Sequence, residues 1–288
     1  MSKYHRPPNT FVGQVDIKVG DLERTLNFYQ GVLGFTILEN HEGKITLTAD
    51  GKLPLIKIEQ PEDIISKESQ TTGLYHFAIL LPSRADLGTI IKKLREISYP
   101  LQGGSHHGIS EAIYLEDPDG NGIEIYADTP PSTWKWENGV LPAEGKALDI
   151  KGLLAEAEDK EWKGIPSEAL IGHIHLSVSE LEKTEAFYHQ GMGFDVVMRI
   201  PRNAVFFSTG EYHHHIGTNI WNGIGAPAPS ENSVGMSSFS VVFPSDEARE
   251  KVIKKLRDLN YQVKKEEGVF ITEDPSGNQI RLVVSRDI

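Results

Sequence analysis

Three residues, His76, His173 and Glu124, are of the types that bind a divalent metal ion. Period-two alternation places His173 on the polar face of a short predicted strand, His76 in an otherwise apolar strand and Glu124 within another apolar strand. A carboxylate in such a place needs a partner, which could also be a lysine. Each histidine alone is more often a core residue than a ligand. Two imidazoles with one carboxylate nevertheless form the set that holds ferrous iron with coordination positions left open, so together they predict a metal site.

An internal repeat relates the positions of these residues. Segment 12–35 recurs at 171–194 with a constant offset of 159 residues, and both copies contain a Phe-Tyr pair and a Gly-Phe pair. An Asp-Pro-x-Gly-Asn motif, typical of a turn, also occurs twice, starting at Asp117 and at Asp274. Such spacing indicates duplication, and repeats have to be recognised before a fold is assigned. The two candidate histidines fall on the first strands of their units and the glutamate on a last strand, which favours ligands over core residues.

Each repeat unit combines an alternating strand, a helix and three further strands, which is a βαβββ module. Four modules fit the chain, at 11–58, 73–128, 170–220 and 234–285. The sheet face of a single module is too large to leave in water. We therefore predict an α+β fold in which modules pair into curved mixed sheets that enclose a metal cavity.

The chain is expected to divide into two halves of two modules each, residues 1–128 and 169–288, joined by a connector at 129–168. The connector contains three of the four tryptophans and a predicted helix over 148–157. Tryptophans are rarely left in solvent, so we expect the connector to pack on the sheets rather than to act as a free tether.

The order of module pairing decides whether the metal site is complete. Alignment of the modules gives three pairs of equivalent positions: Gln14 with His173, Ser238 with His76, and Arg281 with Glu124. Pairing in sequence order would separate one histidine from the other two ligands. Pairing the second module with the third gives a complete set and leaves the first and fourth as a structural partner sheet. We adopt this second arrangement as a hypothesis, with sequence order as its alternative.

Composition and motifs exclude several classes of function. The formal net charge is −12 and the pI is about 5.4, without a basic cluster, so neither nucleic acid nor an anionic membrane is an expected partner. The absence of cysteine rules out disulfides, thiolate-bound zinc and iron–sulfur clusters. No Gly-x-Ser-x-Gly, Walker-type or His-Glu-x-x-His motif occurs. No segment has the apolar length of a membrane span, and we expect a cytoplasmic protein.

The motifs resemble those of the vicinal-oxygen-chelate superfamily, which includes glyoxalase I, fosfomycin-resistance proteins and type I extradiol dioxygenases. The resemblance rests on Gly-His-Ile-x-Leu-x-Val from residue 172, followed by Leu-Glu, Phe-Tyr and Gly-Phe, and on Asp-Pro-Asp-Gly-Asn-x-Ile-Glu at 117–124. It covers nearly the whole chain. The four modules are most similar to the dioxygenase branch, especially the Bacillus-type catechol 2,3-dioxygenases. This resemblance implies a homo-oligomeric enzyme that uses Fe(II), with Mn(II) as the alternative, and O2 to open a small aromatic diol, a catechol, to a 2-hydroxymuconate-type semialdehyde.

The resemblance also implies roles for a second set of residues. It places an acid/base role on His214 of the run 213–215 and directs Tyr114 and His107 toward substrate and oxygen. His175 shares the ligand face of its strand and is expected to line the substrate pocket. Strand alternation puts the first and third histidines of the run on one face and the middle one on the other. Which set faces the cavity is therefore open, as is the choice between His107 and the histidine before it.

Two other functions fit the same resemblance. A metal-dependent lyase, isomerase or thiol transferase of the glyoxalase type needs a second carboxylate on the last strand of the partner module. The histidine run 213–215 is predicted to occupy that place. A metal-free protein that binds a small molecule would hold no ion at all.

Overall fold

The structure, a computed structural model, describes residues 2–285. Its helices are α1 (Leu22–Leu26), α2 (Arg84–Glu96), α3 (Ile150–Glu156), α4 (Leu181–Glu185) and α5 (Asp246–Asp258). Both α1 and α4 continue as π-helical turns, over Asn27–Val32 and Ala186–Gly191, and a 3-10 turn covers Pro131–Thr133.

The strands follow the predicted module pattern, three after each module's helix. In the first and second modules they are β1 (Phe11–Lys18), β2 (Thr36–His41), β3 (Lys44–Thr48), β4 (Ile56–Glu59), β5 (Gly73–Leu80), β6 (Gly103–His106), β7 (Ser110–Glu116) and β8 (Gly122–Asp128). The connector adds β9 (Lys146–Ala147). In the third and fourth modules they are β10 (Leu170–Ser177), β11 (Asp195–Ile200), β12 (Ala204–Ser208), β13 (Ile216–Asn219), β14 (Gly235–Phe243), β15 (Val263–Glu266), β16 (Val269–Glu273) and β17 (Gln279–Val284).

Local sequence explains where the module helices begin. The Asp21 side chain caps α1 by accepting from the Arg24 backbone N–H. Ser83 and Ser245 cap α2 and α5 in the same way. A side-chain oxygen at the residue before a helix satisfies a backbone N–H that has no partner within the helix, which fixes the first turn.

Two sheets form, and each combines modules from both halves of the chain. The eight-stranded sheet has the order β15-β16-β17-β14-β1-β4-β3-β2, and the nine-stranded sheet has the order β11-β12-β13-β10-β5-β8-β7-β6-β9. The second module therefore pairs with the third, and the first with the fourth, which confirms the pairing hypothesis. Antiparallel contact between β5 and β10 joins the second and third modules directly.

The repeated Phe-Tyr and Asp-Pro-x-Gly-Asn motifs bond the modules to each other. Tyr29 in the first module donates to the Asp117 carboxylate in the second at 3.2 Å, and Tyr188 in the third donates to Asp274 in the fourth at 2.9 Å. All four residues are buried. The predicted turn motif therefore has a second task, because its first carboxylate accepts the hydrogen bond that links neighbouring modules.

The connector packs on the nine-stranded sheet. Its short strand β9 pairs with β6, and α3 lies against α2, where the backbone of Leu153 leaves no room for a side chain at Gly88. Helix α3 begins later than predicted because Asp149 serves as its cap and accepts from the Gly152 backbone. Trp134 is buried against Tyr4 from the N-terminal segment. Among residues 2–285, no helix combines the length and the apolar character that crossing a bilayer requires.

Candidate metal centre

His76, Glu124 and His173 meet inside the nine-stranded sheet. Nε2 of His76 lies 3.0 Å from Oε2 of Glu124, and Nε2 of His173 lies 3.2 Å from the same oxygen. One potential ligand atom from each residue lies within 4.8 Å of the other two, and all three side chains are buried. Among the described residues Glu124 pairs with these two imidazoles and with no lysine, so the alternative of a lysine partner is wrong.

The register of three adjacent strands produces this meeting. Antiparallel pairing sets His173 of β10 opposite Ala78 of β5, two residues beyond His76. Parallel pairing then sets Glu124 of β8 beside the same Ala78. The three donors thus come from two modules but from neighbouring strands, and side chains on one face of adjacent strands are within reach of each other.

The electrostatic environment favours the protonation states that ligate a metal. Burial lowers the pKa of His173 to about 4, although the charge of Glu124 opposes this shift. Burial acts to raise the pKa of Glu124, but its interactions with His173 and His76 outweigh that effect and hold the pKa well below the usual range. Near neutral pH the cluster therefore contains an ionised carboxylate beside a neutral His173 imidazole, and these are the forms that bind divalent ions.

The donor atoms are spaced as the ligands of one metal ion would be, although Nε2 of His173 also lies within hydrogen-bonding distance of Glu124. Despite its 3.0 Å distance from Glu124, the buried Nε2 of His76 makes no hydrogen bond, because its orientation is unsuitable. Two donors at right angles, each about 2.1 Å from an ion, are about 3 Å apart. The observed separations therefore match adjacent positions of one coordination sphere. His76, His173 and Glu124 would hold the ion.

A glycine occupies the place where a fourth protein ligand would lie. Glu124 sits beside the residue two positions after His76, and Gly217 sits beside His175, two positions after His173. The prediction that the histidine run 213–215 occupies this place is wrong, because β13 begins only after the run. Gly217 has no side chain to offer, and a Cβ atom there would lie only 3.1 Å from the His175 ring, so this position supplies no second carboxylate and is crowded by its neighbour.

The histidine run does not follow strand alternation, because it forms a turn before β13. Its three side chains point to three different partners. The His214 ring lies 4.1 Å from the His173 ring, whereas His215 contacts Ser208 and the Tyr4 carbonyl. His213 contacts His214 and a carboxylate at the end of β8. The predicted division into two faces is therefore wrong, and the middle histidine is the one beside the candidate ligands.

Tyr114 and His107 form a hydrogen-bonded pair next to the cluster. Nε2 of His107 lies 2.7 Å from the Tyr114 hydroxyl, and the Tyr114 ring lies 5.7 Å from the His76 ring. Burial raises the pKa of Tyr114, and the charge of Glu124 adds to this shift, so the phenol stays protonated. The preceding His106 instead accepts from the Gly108 backbone within its own turn.

Aromatic rings surround His175 on the same face of the sheet. Its ring lies 5.0 Å from that of His76, 5.4 Å from Trp221 and 5.2 Å from Tyr75. Its buried Nε2 has no hydrogen-bond partner among the described residues. A groove of about 660 Å³ begins at Tyr75 and His76 and includes Tyr114 in its wall. These residues offer an aromatic surface with a free imidazole nitrogen close to the cluster.

Sequence reasoning missed Asp128, which contacts the histidine run. Oδ1 of Asp128 lies 2.8 Å from Nε2 of His213 and also accepts from the Tyr212 hydroxyl at 3.2 Å. Alternation along β8 places Asp128 on the face that carries Glu124 and Tyr126, so that signal could have found it. The contact of the N-terminal Tyr4 with the run could not be found in this way, because nothing local relates the two segments.

Comparison with known proteins supports a common origin. The glyoxalase/bleomycin resistance protein/dioxygenase superfamily model matches residues 12–125 and 170–282. A catechol-2,3-dioxygenase of Bacillus subtilis strain 168 is 42% identical over 280 residues, which cover 96% of this chain and 98% of that protein.

Solved structures share the fold at low sequence identity. One from Bacillus subtilis strain 168 gives a TM-score of 0.64 at 15% identity, with 95% of this chain and 84% of that chain covered. Glyoxalase I from Zea mays gives a TM-score of 0.61 at 16% identity, with 96% and 93% covered. With paired βαβββ modules, a match over both halves and a relative aligned along nearly its whole length, this chain belongs to the glyoxalase/bleomycin resistance protein/dioxygenase superfamily.

Proposed function

We propose that the protein is an extradiol catechol dioxygenase that uses Fe(II) and O2. The observation that carries this proposal is a cluster of two imidazoles and one carboxylate, with Gly217 where a fourth ligand would lie. Such a set leaves positions open for substrate and oxygen, which is typical of non-haem iron oxygenases. Bound there, iron supplies Lewis acidity, a template for the substrate and the redox partner of O2.

The chain's own residues bind and orient the diol. His175, Tyr75 and Trp221 offer ring faces and one free imidazole nitrogen, which suit a flat aromatic substrate. Nδ1 of His107 faces the Glu144 carbonyl and so carries the ring hydrogen, which leaves Nε2 to accept from the Tyr114 hydroxyl. The Tyr114 oxygen, held in this way, can accept a hydrogen bond from a substrate hydroxyl. The groove of about 660 Å³ gives a small aromatic diol access to this face.

His214 is the acid/base residue of this proposal. Burial lowers its pKa well below the ordinary value, and the neighbouring imidazoles reinforce the shift, so the ring is neutral and able to accept a proton from a substrate hydroxyl. Its ring lies 4.1 Å from that of the candidate ligand His173, in a tilted contact that keeps it beside the cluster.

A glyoxalase-type lyase or isomerase is disfavoured by the same geometry. That pattern needs a second carboxylate on the last strand of the partner module, and β13 offers Gly217 there. The near full-length similarity to a protein named catechol-2,3-dioxygenase supports the dioxygenase instead.

Anaerobic reconstitution with ferrous iron, followed by catechol and air, tests the proposal. We expect oxygen uptake coupled to catechol loss in a one-to-one ratio. The matched control is His76→Ala, which should show neither. A parallel reconstitution with Mn(II) decides between the two ions. Stoichiometric iron binding without oxygen uptake, over a panel of substituted catechols, would contradict the proposed reaction.

A further inference from the structure

A short chain of hydrogen bonds leads away from the candidate metal centre through the histidine run. Nδ1 of His214 lies 2.8 Å from Nδ1 of His213, and Nε2 of His213 lies 2.8 Å from Oδ1 of Asp128. Both imidazoles are buried, and Asp128 closes the chain at the end of β8. This series of hydrogen bonds ends at a cavity of about 690 Å³, and Asp128 lines that cavity together with Leu81 and Pro130.

The donor and acceptor properties of these groups determine which ring nitrogen of His213 and of His214 carries a hydrogen. An ionised carboxylate can only accept, so Nε2 of His213 carries the hydrogen that points to Asp128. When the His213 ring carries only this hydrogen, it has one donor and one acceptor, and its Nδ1 accepts. The neighbouring Nδ1 of His214 must then donate. The remaining nitrogen of His214, Nε2, is consequently the unprotonated acceptor.

One ring nitrogen of His214 is left without a hydrogen-bond partner next to the cluster. Within the described range 2–285, the hydrogen bond of His214 is made by Nδ1, and Nε2 has no hydrogen-bond partner; the residue is 8% exposed. The His173 ring at 4.1 Å and the Phe206 ring at 5.2 Å flank it. A base at this position must present an acceptor toward the substrate.

Aromatic packing holds the middle of the chain in place. The His213 ring lies 4.0 Å from the Tyr212 ring and 5.3 Å from Trp134 of the connector. The Tyr212 hydroxyl donates to the same carboxylate oxygen that His213 uses. Asp128 and His213 are therefore fixed from several sides, and their orientation is set independently of any substrate.

We propose that Asp128 and His213 are positioning residues that hold His214 in the tautomer with hydrogen on Nδ1, so that Nε2 faces the substrate as an acceptor. This inference rests on the proposed function, because it explains how the acid/base residue of that reaction is prepared. Neither residue touches the substrate site. A carboxylate that orients an imidazole through hydrogen bonds is a well-established way to fix a tautomer.

Kinetics of two isosteric variants test the role. Asp128→Asn should lower kcat by about 100-fold or more while KM for catechol and bound iron stay within about twofold. Tyr212→Phe is the matched control, because it removes the other hydrogen bond to the same oxygen and keeps the ring against His213. We expect it to retain at least about a third of kcat. Equal losses in both variants, or an Asp128→Asn protein with unchanged kcat, would overturn the positioning role.

Nitrogen-15 NMR of histidine-labelled protein reads the tautomer directly. The sample is the chain loaded with Zn(II), a diamagnetic ion that accepts the same donors. The signal of His214 is the one that disappears in the His214→Gln variant. We expect its chemical shifts to show hydrogen on Nδ1, and we expect Asp128→Asn to move them toward those of the Nε2–H form.

The two experiments separate this inference from the proposed function. An Nδ1–H tautomer in a protein without catechol cleavage would reject the dioxygenase and keep the positioning role. Catechol cleavage by a protein whose His214 carries hydrogen on Nε2 would reject the positioning role and keep the dioxygenase.

Discussion

The two sheets carry different side chains at the same repeat positions. In the nine-stranded sheet these positions hold the three metal-binding candidates, and in the eight-stranded sheet they hold their equivalents: His76 and Ser238, His173 and Gln14, Glu124 and Arg281. The cluster in the nine-stranded sheet consists of nitrogen lone pairs and a carboxylate, and it includes no lysine or arginine. The other contains a cation of its own. In both sheets the fold therefore brings the equivalent positions together. The side chains at those positions determine whether the cluster needs an added ion.

The eight-stranded sheet satisfies its cluster internally. Arg281 lies 2.9 Å from Asp16, the repeat equivalent of His175, and also donates to Ser238. Ser238 and Gln14 donate to the same carboxylate group at 3.0 and 2.7 Å. A guanidinium fills the role that an ion would fill, and every member has a partner. The two clusters show that equivalent repeat positions can hold either a self-neutralised set with its own cation or a set of donors that suits an added ion.

Removal of either candidate histidine should have the largest effect. His173→Ala and His76→Ala each delete one of three donors, so both should lose the metal and all detectable activity. Loss of even an outer partner of a metal-binding histidine costs about 10- to 100-fold in affinity, and loss of the ligand itself exceeds that. Metal content by mass spectrometry checks this. Gln14→Ala, at the equivalent place in the other sheet, is the control that should retain the metal.

Removal of the Arg281 guanidinium from the eight-stranded sheet should destabilise the protein without affecting metal binding in the other sheet. Arg281→Met leaves Asp16 buried without its charge partner, which should cost about 3 kcal/mol in the free energy of unfolding. The double variant Asp16→Asn/Arg281→Met should recover most of that loss in urea titrations.

Lys44→Met is the control for this prediction. It breaks the exposed ion pair of Lys44 with Glu59 in the same sheet and should cost less than about 1 kcal/mol. Loss of metal in the Arg281→Met protein would contradict the separation of the two clusters.

Acid should destabilise the side of the molecule that holds the histidines. Burial lowers the pKa of His5 to about 4, whereas the unfolded chain has the ordinary value near 6.5. The unfolded state therefore binds more protons, and stability is lost as pH falls from about 6.5 toward 4. Burial shifts Asp16 in the opposite direction by raising its pKa, despite the Arg281 charge, so the carboxyl cluster does not share this loss.

Urea unfolding at pH 7.5 and pH 5 measures the acid effect. His5→Gln should reduce the difference in unfolding free energy between the two pH values by about 2 kcal/mol. His41→Gln, at an exposed position of β2, should leave the difference unchanged. An equal response of the two variants would show that burial of His5 is not the cause.

The smallest expected effect concerns the bonds between modules, which are alike in the two halves. Tyr29→Phe and Tyr188→Phe each remove one hydrogen bond to a buried carboxylate and should each cost about 1 to 2 kcal/mol. Thermal unfolding of the single variants checks this. A large loss in one and none in the other would break the equivalence of the two links.

Much of the fold could be predicted because its signals are local. Period-two alternation and the repeated motifs placed all four modules, and the positions of His76, His173 and Glu124 within them led to the pairing of the second module with the third. The histidine run could not be oriented in this way. Alternation applies only within a strand, and residues 211–215 form a turn before β13.

Features that depend on long-range register were beyond the sequence. The place of Gly217 beside His175 follows from the pairing of β10 with β13, which no local pattern fixes. The contacts of Tyr4 and Trp134 with the histidine run join segments far apart in the chain. Such contacts are chosen by packing of the finished fold, and local propensity carries no information about them.

The most direct test is X-ray anomalous scattering from crystals loaded anaerobically with ferrous iron, recorded on both sides of the iron absorption edge. We predict one peak per chain, about 2.2 Å from Nε2 of His76, Nε2 of His173 and a carboxylate oxygen of Glu124. An ion bound only by residues of the second module or only by His173 of the third, or no peak between these residues, would contradict the account.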